Sequence, residues 1–243
     1  MHFIAHVFGW FTTSGNWTGP TGVPELLWQT VKLSLAVVAT AVVVGGAIGA
    51  LAGHTGRGSV VAVNAANAAR AIPTLALLTL LAIVPSISIK WGGFLAAYLA
   101  LVVLAVPPIL TNTFVGVRSV DADARDAARA MGLTGWQTFA RVEAPLALPF
   151  AMAGVRTASV EVVATSTLAA YVSYTDLGTP VLSGLNTSND VEAFAGSLLV
   201  ALLAGIVALA LGGIQRAVTP APLRHQRSGA LVSGPRRVRG AVD

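Results

Sequence analysis

The chain has 243 residues, of which 55% are hydrophobic and only 10% are charged, and its mean hydropathy is +0.75. A soluble domain carries roughly a quarter charged residues, so this composition excludes an ordinary soluble enzyme and a disordered protein. The absence of cysteine excludes disulfides, thiolate catalysis and cysteine-ligated metals. We attribute the net charge of +5 to membrane topology rather than to nucleic-acid binding. The expected fold class is an all-α polytopic membrane protein.

Five stretches of the chain are long and apolar enough to cross a bilayer, for which a helix needs about 20 mostly apolar residues. They occupy residues 26–52, 59–84, 92–117, 145–172 and 191–218. The expected transmembrane domain is therefore 26–218. Residues 1–25 are expected to form an extracytoplasmic segment at the membrane interface. The Pro- and Arg-rich residues 219–243 are expected to form a disordered cytoplasmic tail.

Three prolines, Pro73, Pro107 and Pro108, fall inside these predicted spans. A proline removes a backbone donor and bends a helix, which a membrane helix tolerates where its neighbours supply hydrogen bonds. From the sequence, these positions are equally well interpreted as hinges or as static kinks.

Positive charge is unequally divided between the two sides that these spans define. Eleven of the 15 Lys and Arg residues lie on one of these two sides. They occur at Arg57, within or beside the 118–144 loop, and in the carboxyl-terminal segment, whereas only Lys90 lies on the other side. Positively charged loops stay in the cytoplasm. We therefore expect the 118–144 loop and the carboxyl terminus to be cytoplasmic and the amino terminus to be outside.

The long cytoplasmic loop carries local signals for two short helices. Ser119 or Asp121 can cap the first helix, and Gly132 is placed to end it. Thr134 and Gln137 form a capping-box pattern that starts the second helix. The loop is therefore predicted to be a helix, a glycine turn and another helix at the membrane surface.

The first of these two helices has a small apolar face. Its members follow the spacing i, i+3, i+4 and i+7 and are Ala124, Ala127, Ala128 and Met131. Asp121 and Arg125 lie four residues apart on the flank, where they can form an ion pair. A helix resting on lipid should carry Leu, Phe or Trp on its apolar face. Because small side chains let another backbone approach closely, this helix is expected to dock onto a soluble protein.

The loop resembles the EAA loop of the permease subunits of binding-protein-dependent ABC importers. The family pattern reads Glu-Ala-Ala, three residues, Gly, nine residues, Ile-x-Leu-Pro. This chain has Asp-Ala-Ala at 126–128, a glycine at 132 and Val-Glu-Ala-Pro at 142–145, so the spacing is intact. The resemblance implies a type I importer permease with a cytoplasmic coupling helix. It assigns the coupling to an ATPase to Asp126, Ala127, Ala128, Met131, Gly132, Val142 and Pro145.

Three further strings, at residues 70–78, 108–113 and 153–158, look most like permeases of glycine betaine, carnitine and choline importers. The resemblance implies a transport subunit of a bacterial inner membrane that forms the path for a small osmoprotectant. It also implies three partners: a cytoplasmic ATPase, a second permease subunit and an extracytoplasmic solute-binding protein. No GxxxxGK[ST] motif occurs in the sequence. We therefore expect the ATPase to bind ATP and Mg²⁺, and this chain to have no catalytic residue, metal or cofactor.

Three ionisable residues lie deep in the predicted spans: Arg70, Arg156 and Glu161. A charge at mid-bilayer costs about 2.5–3.5 kcal/mol, so such groups are usually paired or face water. Arg156 and Glu161 are five residues apart and point in different directions around a helix. The preferred pair is therefore Arg70 with Glu161. The three residues form either a structural ion pair or part of the translocation path.

A quaternary ammonium cargo would be held best by aromatic faces. Trp91, Tyr98, Tyr171 and Tyr174 lie near the predicted outer side. Their spacing forms no obvious cage, and membrane-belt residues are the favoured interpretation.

Other functions remain open at this stage. A permease of the same family could carry an amino acid, a sulfonate or a thiamine-like compound. A stand-alone channel or carrier would have no use for the EAA-like loop, and no inverted repeat is visible. An intramembrane enzyme would need several deep acids or histidines, whereas Glu161 is the only deep acid in the predicted spans.

Overall fold

The computed structural model describes residues 2–56, 59–84 and 93–219. In this part of the chain the regular elements are helices, which we number in chain order. They are α1 His2–Thr12, α2 Val23–Thr55, α3 Ser59–Arg70, α4 Thr74–Ile83, α5 Phe94–Arg118, α6 Ala122–Ala130, α7 Gly135–Thr138, α8 Ala144–Ser166, α9 Gly178–Asn186 and α10 Asp190–Val218. The expectations for Lys90, Trp91 and the tail from residue 220 onward lie outside the described residues.

Four helical stretches are long and apolar enough to cross a membrane. They are Val23–Thr55, Phe94–Arg118, Gly135–Val172 and Asp190–Val218. The first has 33 residues and extends about 50 Å at 1.5 Å per residue, more than the thickness of a bilayer core. These stretches coincide with the predicted first, third, fourth and fifth spans. The all-α polytopic fold class is confirmed.

The expected second span, 59–84, does not form one continuous helix. It is divided into α3, with 12 residues, and α4, with 10 residues, each too short to cross alone. The break lies at Pro73, whose backbone is extended with φ −62° and ψ 117°. A proline has no N–H to donate and disfavours helical geometry in the residue before it. In contrast, Pro107 and Pro108 remain inside an unbroken α5.

Helix α5 lies at the centre of the bundle. It packs most extensively against α2 on one side and α8 on the other, and both α3 and α4 contact it. The core between these helices is formed by fully buried apolar side chains, including Leu33, Val37, Leu101, Ile109 and Val162. The 118–144 loop therefore leaves the central helix and returns into a helix that packs beside it.

Helices α2 and α5 approach each other through a row of glycines at Gly45, Gly49 and Gly53. A Cβ atom at Gly49 would lie 2.5 Å from the carbonyl oxygen of Leu110, so no side chain fits there. Small residues at every fourth position allow membrane helices to pack backbone against backbone. This close contact brings the carboxyl end of α2 next to the end of α5, where the loop begins.

Candidate functional site

The first loop helix, α6, is closed at both ends by the predicted caps. The carboxylate of Asp121 accepts the backbone N–H two residues further on, at 3.0 Å. At the other end Gly132 has φ +84°, a left-handed conformation that suits glycine. The N–H groups of Gly132 and Leu133 donate to the carbonyls of Arg129 (2.9 Å) and Ala128 (3.2 Å). This pair of bonds is the Schellman motif, and it confirms Gly132 as the end of the helix.

The second loop helix starts as expected but does not end as expected. Thr134 and Gln137 form the predicted capping box, with N···O distances of 2.9 and 3.4 Å. After α7 the backbone makes one wide π-helical turn, Phe139–Glu143, and continues directly into α8. Pro145 was expected to open the span, whereas the helix is continuous over Gly135–Val172. A displacement of the loop therefore acts directly on a membrane-spanning helix.

The alanine face of α6 is divided between the interior and the surface. Ala128 is only 1% exposed and Ala124 is half-buried, so both face the protein itself. Ala127 is exposed and Met131 is 75% exposed. The expectation that all the alanines face a partner is therefore wrong for Ala128.

The predicted coupling residues consequently differ in their accessibility. Val142 is half-buried in the wide turn. Trp136, which the resemblance did not include, is 70% exposed on α7. The members of the coupling set on the surface are Asp126, Ala127, Met131, Gly132 and Pro145.

A buried carboxylate, Glu143, lies behind the loop. Its side chain is 1% exposed, with Oε2 at 2.7 Å from Nδ1 of His54 and Oε1 at 3.1 Å from Nε of Arg125. Nη2 of Arg125 donates to the carbonyl of Val117 at the end of α5. Arg125 therefore does not pair with Asp121, whose carboxylate caps α6 instead. We call Glu143, His54 and Arg125 the loop triad.

No local pattern in the sequence pointed to the loop triad. His54 and Glu143 are 89 residues apart, and pairing across that separation has no periodic signature. The one available signal was the position of Glu143 inside the EAA-like string.

The three ionisable residues predicted within the spans do not come together. Within the described residues no ion pair joins Arg70 to Glu161, so the preferred pair is not formed. Arg70 is exposed at the end of α3, and Glu161 is half-buried on α8. The guanidinium of Arg156 packs against α10, where a Cβ at Gly212 would lie 3.3 Å from its Cζ. No group of three His, Asp or Glu side chains in the described part of the chain could hold a metal ion.

At the opposite end of the bundle the structure gathers aromatic rings that the sequence left separate. The ring centroid of Phe94 lies 6.0 Å from that of Tyr98 and 5.7 Å from that of Tyr174. The Nζ atom of Lys32 lies 6.0 Å from the Phe94 centroid. These rings pack into the core, whereas Tyr171 is 51% exposed. The rings of Phe94 and Tyr98 are half-buried, and Lys32, a cation of the chain, already lies beside Phe94.

The loop after α8 contains a helix, α9, that was not predicted. Its start is held by Asp176, whose Oδ1 accepts the N–H of Gly178 at 2.8 Å. Thr179 Oγ1 accepts the N–H of Asp176 in return, at 3.1 Å. An Asp followed three residues later by Thr was the signal that could have identified this start.

Asp176 is fully buried without a cation within salt-bridge distance among the described residues, and its Oδ2 has no hydrogen-bond partner there. Burial raises the pKa of Asp176 to about 7, against the opposing effect of the Gly178 hydrogen bond. Burial, the Asp176 carboxylate and the Glu25 carboxylate raise the pKa of Tyr174 to about 12. The Tyr174 hydroxyl donates to the carbonyl of Gln29 at 3.1 Å. This arrangement ties the loop between α8 and α9 to α2.

Comparison with known proteins gives a family and several relatives. A family model described as binding-protein-dependent transport system inner membrane component matches residues 41–223. The carnitine transport permease protein OpuCB of Listeria monocytogenes is 39% identical over 147 residues, which cover 60% of this chain and 66% of that protein. The glycine betaine/carnitine/choline transport system permease protein OpuCB of Bacillus subtilis is 34% identical over 135 residues, covering 56% of this chain and 62% of that protein.

A third relative is the osmoprotectant import permease protein OsmW of Salmonella typhimurium, 34% identical over 132 residues that cover 54% of this chain and 61% of that protein. The chain thus spans less than two thirds of the length of these curated relatives. Among solved structures, an inward-facing MetNI methionine ABC transporter matches with a TM-score of 0.71 and 23% identity. That match covers 82% of this chain and 96% of the other, and at this identity it shows the fold alone.

Proposed function

We propose, because the chain belongs to the family of binding-protein-dependent transport system inner membrane components, that it is the permease subunit of an ABC importer for a small osmoprotectant. Family membership makes it a multi-pass inner membrane protein and a transport component. The observation that carries the further proposal is the loop geometry. Helix α6 is closed by the Gly132 Schellman motif and presents Ala127 and Met131 outward, and the loop is continuous with the membrane-spanning helix α8.

The proposed cargo is glycine betaine, choline or carnitine. The support comes from the names of three relatives. The first is a permease for carnitine, the second for glycine betaine, carnitine and choline, and the third for osmoprotectants. These cargoes share a quaternary ammonium group, which aromatic faces bind best. Because the rings around Phe94 pack into the core, tight binding of the cargo is assigned to a separate solute-binding protein outside the membrane.

The proposed partners are an ATPase on the loop side, a second permease subunit and the solute-binding protein. The loop side is taken as cytoplasmic because Arg118, Arg125, Arg129 and Arg141 lie on it. ATP and Mg²⁺ then bind to the ATPase. Closure of the ATPases would press on α6, and the continuous helix from α7 through α8 would carry this movement into the bundle as a rigid-body rotation.

Transport in proteoliposomes tests the cargo and the energy source together. The chain is reconstituted with the ATPase, the second permease subunit and the solute-binding protein, and uptake of labelled glycine betaine, choline, carnitine and methionine is measured. We expect uptake of the three quaternary ammonium compounds only when ATP is enclosed with the ATPase. Uptake without ATP would indicate a stand-alone carrier, and uptake of methionine alone would indicate an amino-acid permease.

Crosslinking tests the docking surface. A photo-crosslinking residue replaces Ala127 on the exposed side of α6, and in a second variant Ala128 on the buried side. We expect the Ala127→photo-residue variant to capture the ATPase and the Ala128→photo-residue variant to capture this chain itself. Failure of the Ala127 variant to capture any nucleotide-hydrolysing subunit would contradict the assignment of α6 as the coupling helix.

A further inference from the structure

Glu143 is the most completely buried acidic side chain on the loop side of the described chain, at 1% exposure. A carboxylate in such a place is stable only when cations and hydrogen-bond donors surround it. Here His54 lies 2.7 Å from one carboxylate oxygen and Arg125 lies 3.1 Å from the other. The proposed docking surface uses none of these three side chains.

The three members of the loop triad come from three different elements. His54 lies in the last turn of α2, Arg125 in the middle of α6, and Glu143 at the entry to α8. Arg125 also bonds the last turn of α5 through the carbonyl of Val117. One buried carboxylate therefore joins the loop helix to the end of α2 and the start of α8, and Arg125 adds the end of α5.

Of the helices that the loop triad connects, α2 is the one that has no short covalent link to the loop. α6 is connected to α5 by Ser119–Asp121 and to α7 by the turn at Gly132, whereas α2 is more than 60 residues away along the chain. The side chain of His54 makes its contacts with the loop through Glu143 and through the ring of Phe139, whose centroid is 5.4 Å away. The triad is therefore a polar connection through which a shift of α6 can reach α2.

We infer that Glu143 is a positioning residue that makes α2 follow the movement of the loop helix during transport. This inference rests on the proposed function, because it requires a partner that moves α6. With the carboxylate in place, α2, α6 and the start of α8 move as one body. Without its charge, α2 is still linked to α5 by the packing at Gly45, Gly49 and Gly53, but its end at His54 no longer follows α6 closely, and the cavity does not change its access completely.

A purely structural anchor would behave differently from a coupling device. Loss of an anchor lowers the amount and melting temperature of the protein, whereas loss of coupling lowers the number of solutes imported per ATP hydrolysed. The informative variant is Glu143→Gln, which keeps the size of the side chain but removes the negative charge on which the contacts with both His54 and Arg125 depend. The matched control is Arg141→Gln, which removes an exposed charge on the same wide turn.

The first measurement is the ratio of uptake to ATP hydrolysis in proteoliposomes containing the whole complex. We expect Glu143→Gln to lower this ratio roughly tenfold, within the range typical of coupling between sites, with ATP hydrolysis changed by no more than about twofold. The Arg141→Gln complex should keep the wild-type ratio. An unchanged ratio for Glu143→Gln would overturn the inference.

A second variant covers the case in which Glu143→Gln does not fold. His54→Gln leaves the Glu143–Arg125 ion pair in place and breaks only the connection to α2, so it should lower the ratio as well. In the double variant the two effects should not multiply, since residues acting through one contact are not additive. Multiplied effects, or a wild-type ratio in His54→Gln, would show that the carboxylate does not act through α2.

A third measurement is independent of the cargo. The chain contains no cysteine, so Leu51→Cys on α2 and Ala122→Cys on α6 provide two unique sites for spin labels. ATP with vanadate should leave the distance between them unchanged in the wild-type background and alter it by roughly 2 Å or more in the Glu143→Gln background. If the distance between the two labels stayed unchanged in both backgrounds, the inference would be overturned. A complex with no ATP hydrolysis at all would instead refute the proposed function, and the inference with it.

Discussion

The two ends of the molecule each contain a fully buried carboxylate, and they stabilise it in different ways. Glu143, on the loop side, lies between His54 and Arg125 at 2.7 and 3.1 Å. Asp176, at the opposite end, accepts a backbone N–H at 2.8 Å and has no cation within salt-bridge distance among the described residues. The first carboxylate connects three elements, whereas the second holds the start of a single short helix.

This difference indicates what each end does. A carboxylate between two basic groups makes a rigid connection that is costly to separate. Moving either basic group away would leave a buried charge unpaired. A carboxylate buried without a cation favours its protonated form, and burial raises the pKa of Asp176 to about 7. The loop end therefore has a rigid connection between three elements, whereas the opposite end has a buried acid whose pKa is raised to about 7.

The largest effect is expected from removing one partner of Glu143. Arg125→Met replaces the guanidinium with an apolar side chain, leaves the carbonyl of Val117 without this donor, and leaves Glu143 with His54 alone. We expect a loss of about 3–5 kcal/mol in the free energy of unfolding, the usual cost of breaking a buried ion pair. The measurement is chemical or thermal unfolding in detergent.

Arg129→Met is the matched control on the same helix. Arg129 forms an exposed pair with Asp126 at 3.7 Å, and surface substitutions change stability by no more than about 0.5 kcal/mol. Equal losses for the two variants would show that the loop triad is no stronger than a surface contact.

The pH dependence of stability at the end opposite the loop gives the second prediction. The pKa of Asp176 is raised from 3.8 to about 7 on folding, so its contribution to stability is fully present below pH 3.8 and declines as the pH rises through about 7. Asp176→Asn keeps the acceptor for Gly178 and removes this titration. We expect the stability of the variant relative to wild type to increase by about 2 kcal/mol between pH 5 and pH 8.

Melting temperatures measured across that pH range provide the check. Asp190→Asn is the control, because Asp190 is an exposed acid at the start of α10. The difference in melting temperature between Asp176→Asn and wild type is expected to change with pH. If it stayed constant, Asp176 would be ionised in the folded protein throughout this pH range.

The same contrast explains which parts of the molecule could be predicted from the sequence. The Gly132 turn and the Thr134–Gln137 capping box were predicted correctly, because each depends on residues three or four positions apart. The four long helices were predicted because each of them consists of a long run of consecutive, mostly apolar residues. Periodicity also placed Ala127 and Ala128 on one apolar face, but it contains no information on which part of that face the rest of the chain covers.

The features that were missed depend on contacts between distant residues. The Glu143–His54 contact spans 89 residues, and nothing in either local string indicates the other. The expected pairing of Arg70 with Glu161 assumed that the second span is one helix beside α8. Pro73 instead breaks that span, because a proline removes a donor and disfavours a helical residue before it. Neither the hinge nor the static kink expected from the sequence included such a break.

The third prediction sharpens the role of the glycine turn on the loop side. Gly132 has φ +84° and open space around it, so a substitution there is strained by the backbone and not by a clash. Gly132→Val should cost about 1–2 kcal/mol in the turn, whereas Gly132→Asn should cost less because Asn tolerates this conformation. Under the proposed function, Gly132→Val reaches the membrane but loses most ATP-driven uptake. Equal uptake by the Val and Asn variants would contradict a role for the turn.

The smallest effect is expected at the end opposite the 118–144 loop, where Tyr174 ties the segment between α8 and α9 to α2. Tyr174→Phe removes the hydroxyl that donates to the carbonyl of Gln29 at 3.1 Å and should cost about 1 kcal/mol, the usual net value of one hydrogen bond. It should also remove the tyrosine that titrates at about pH 12 in an ultraviolet absorbance titration. Tyr171→Phe is the control, since Tyr171 is 51% exposed. Because this bond holds the segment between α8 and α9 and not the 118–144 loop, uptake per ATP should stay at the wild-type value. A fall in that ratio as large as the one expected for Glu143→Gln would mean that both ends transmit movement, and the contrast between them would be lost.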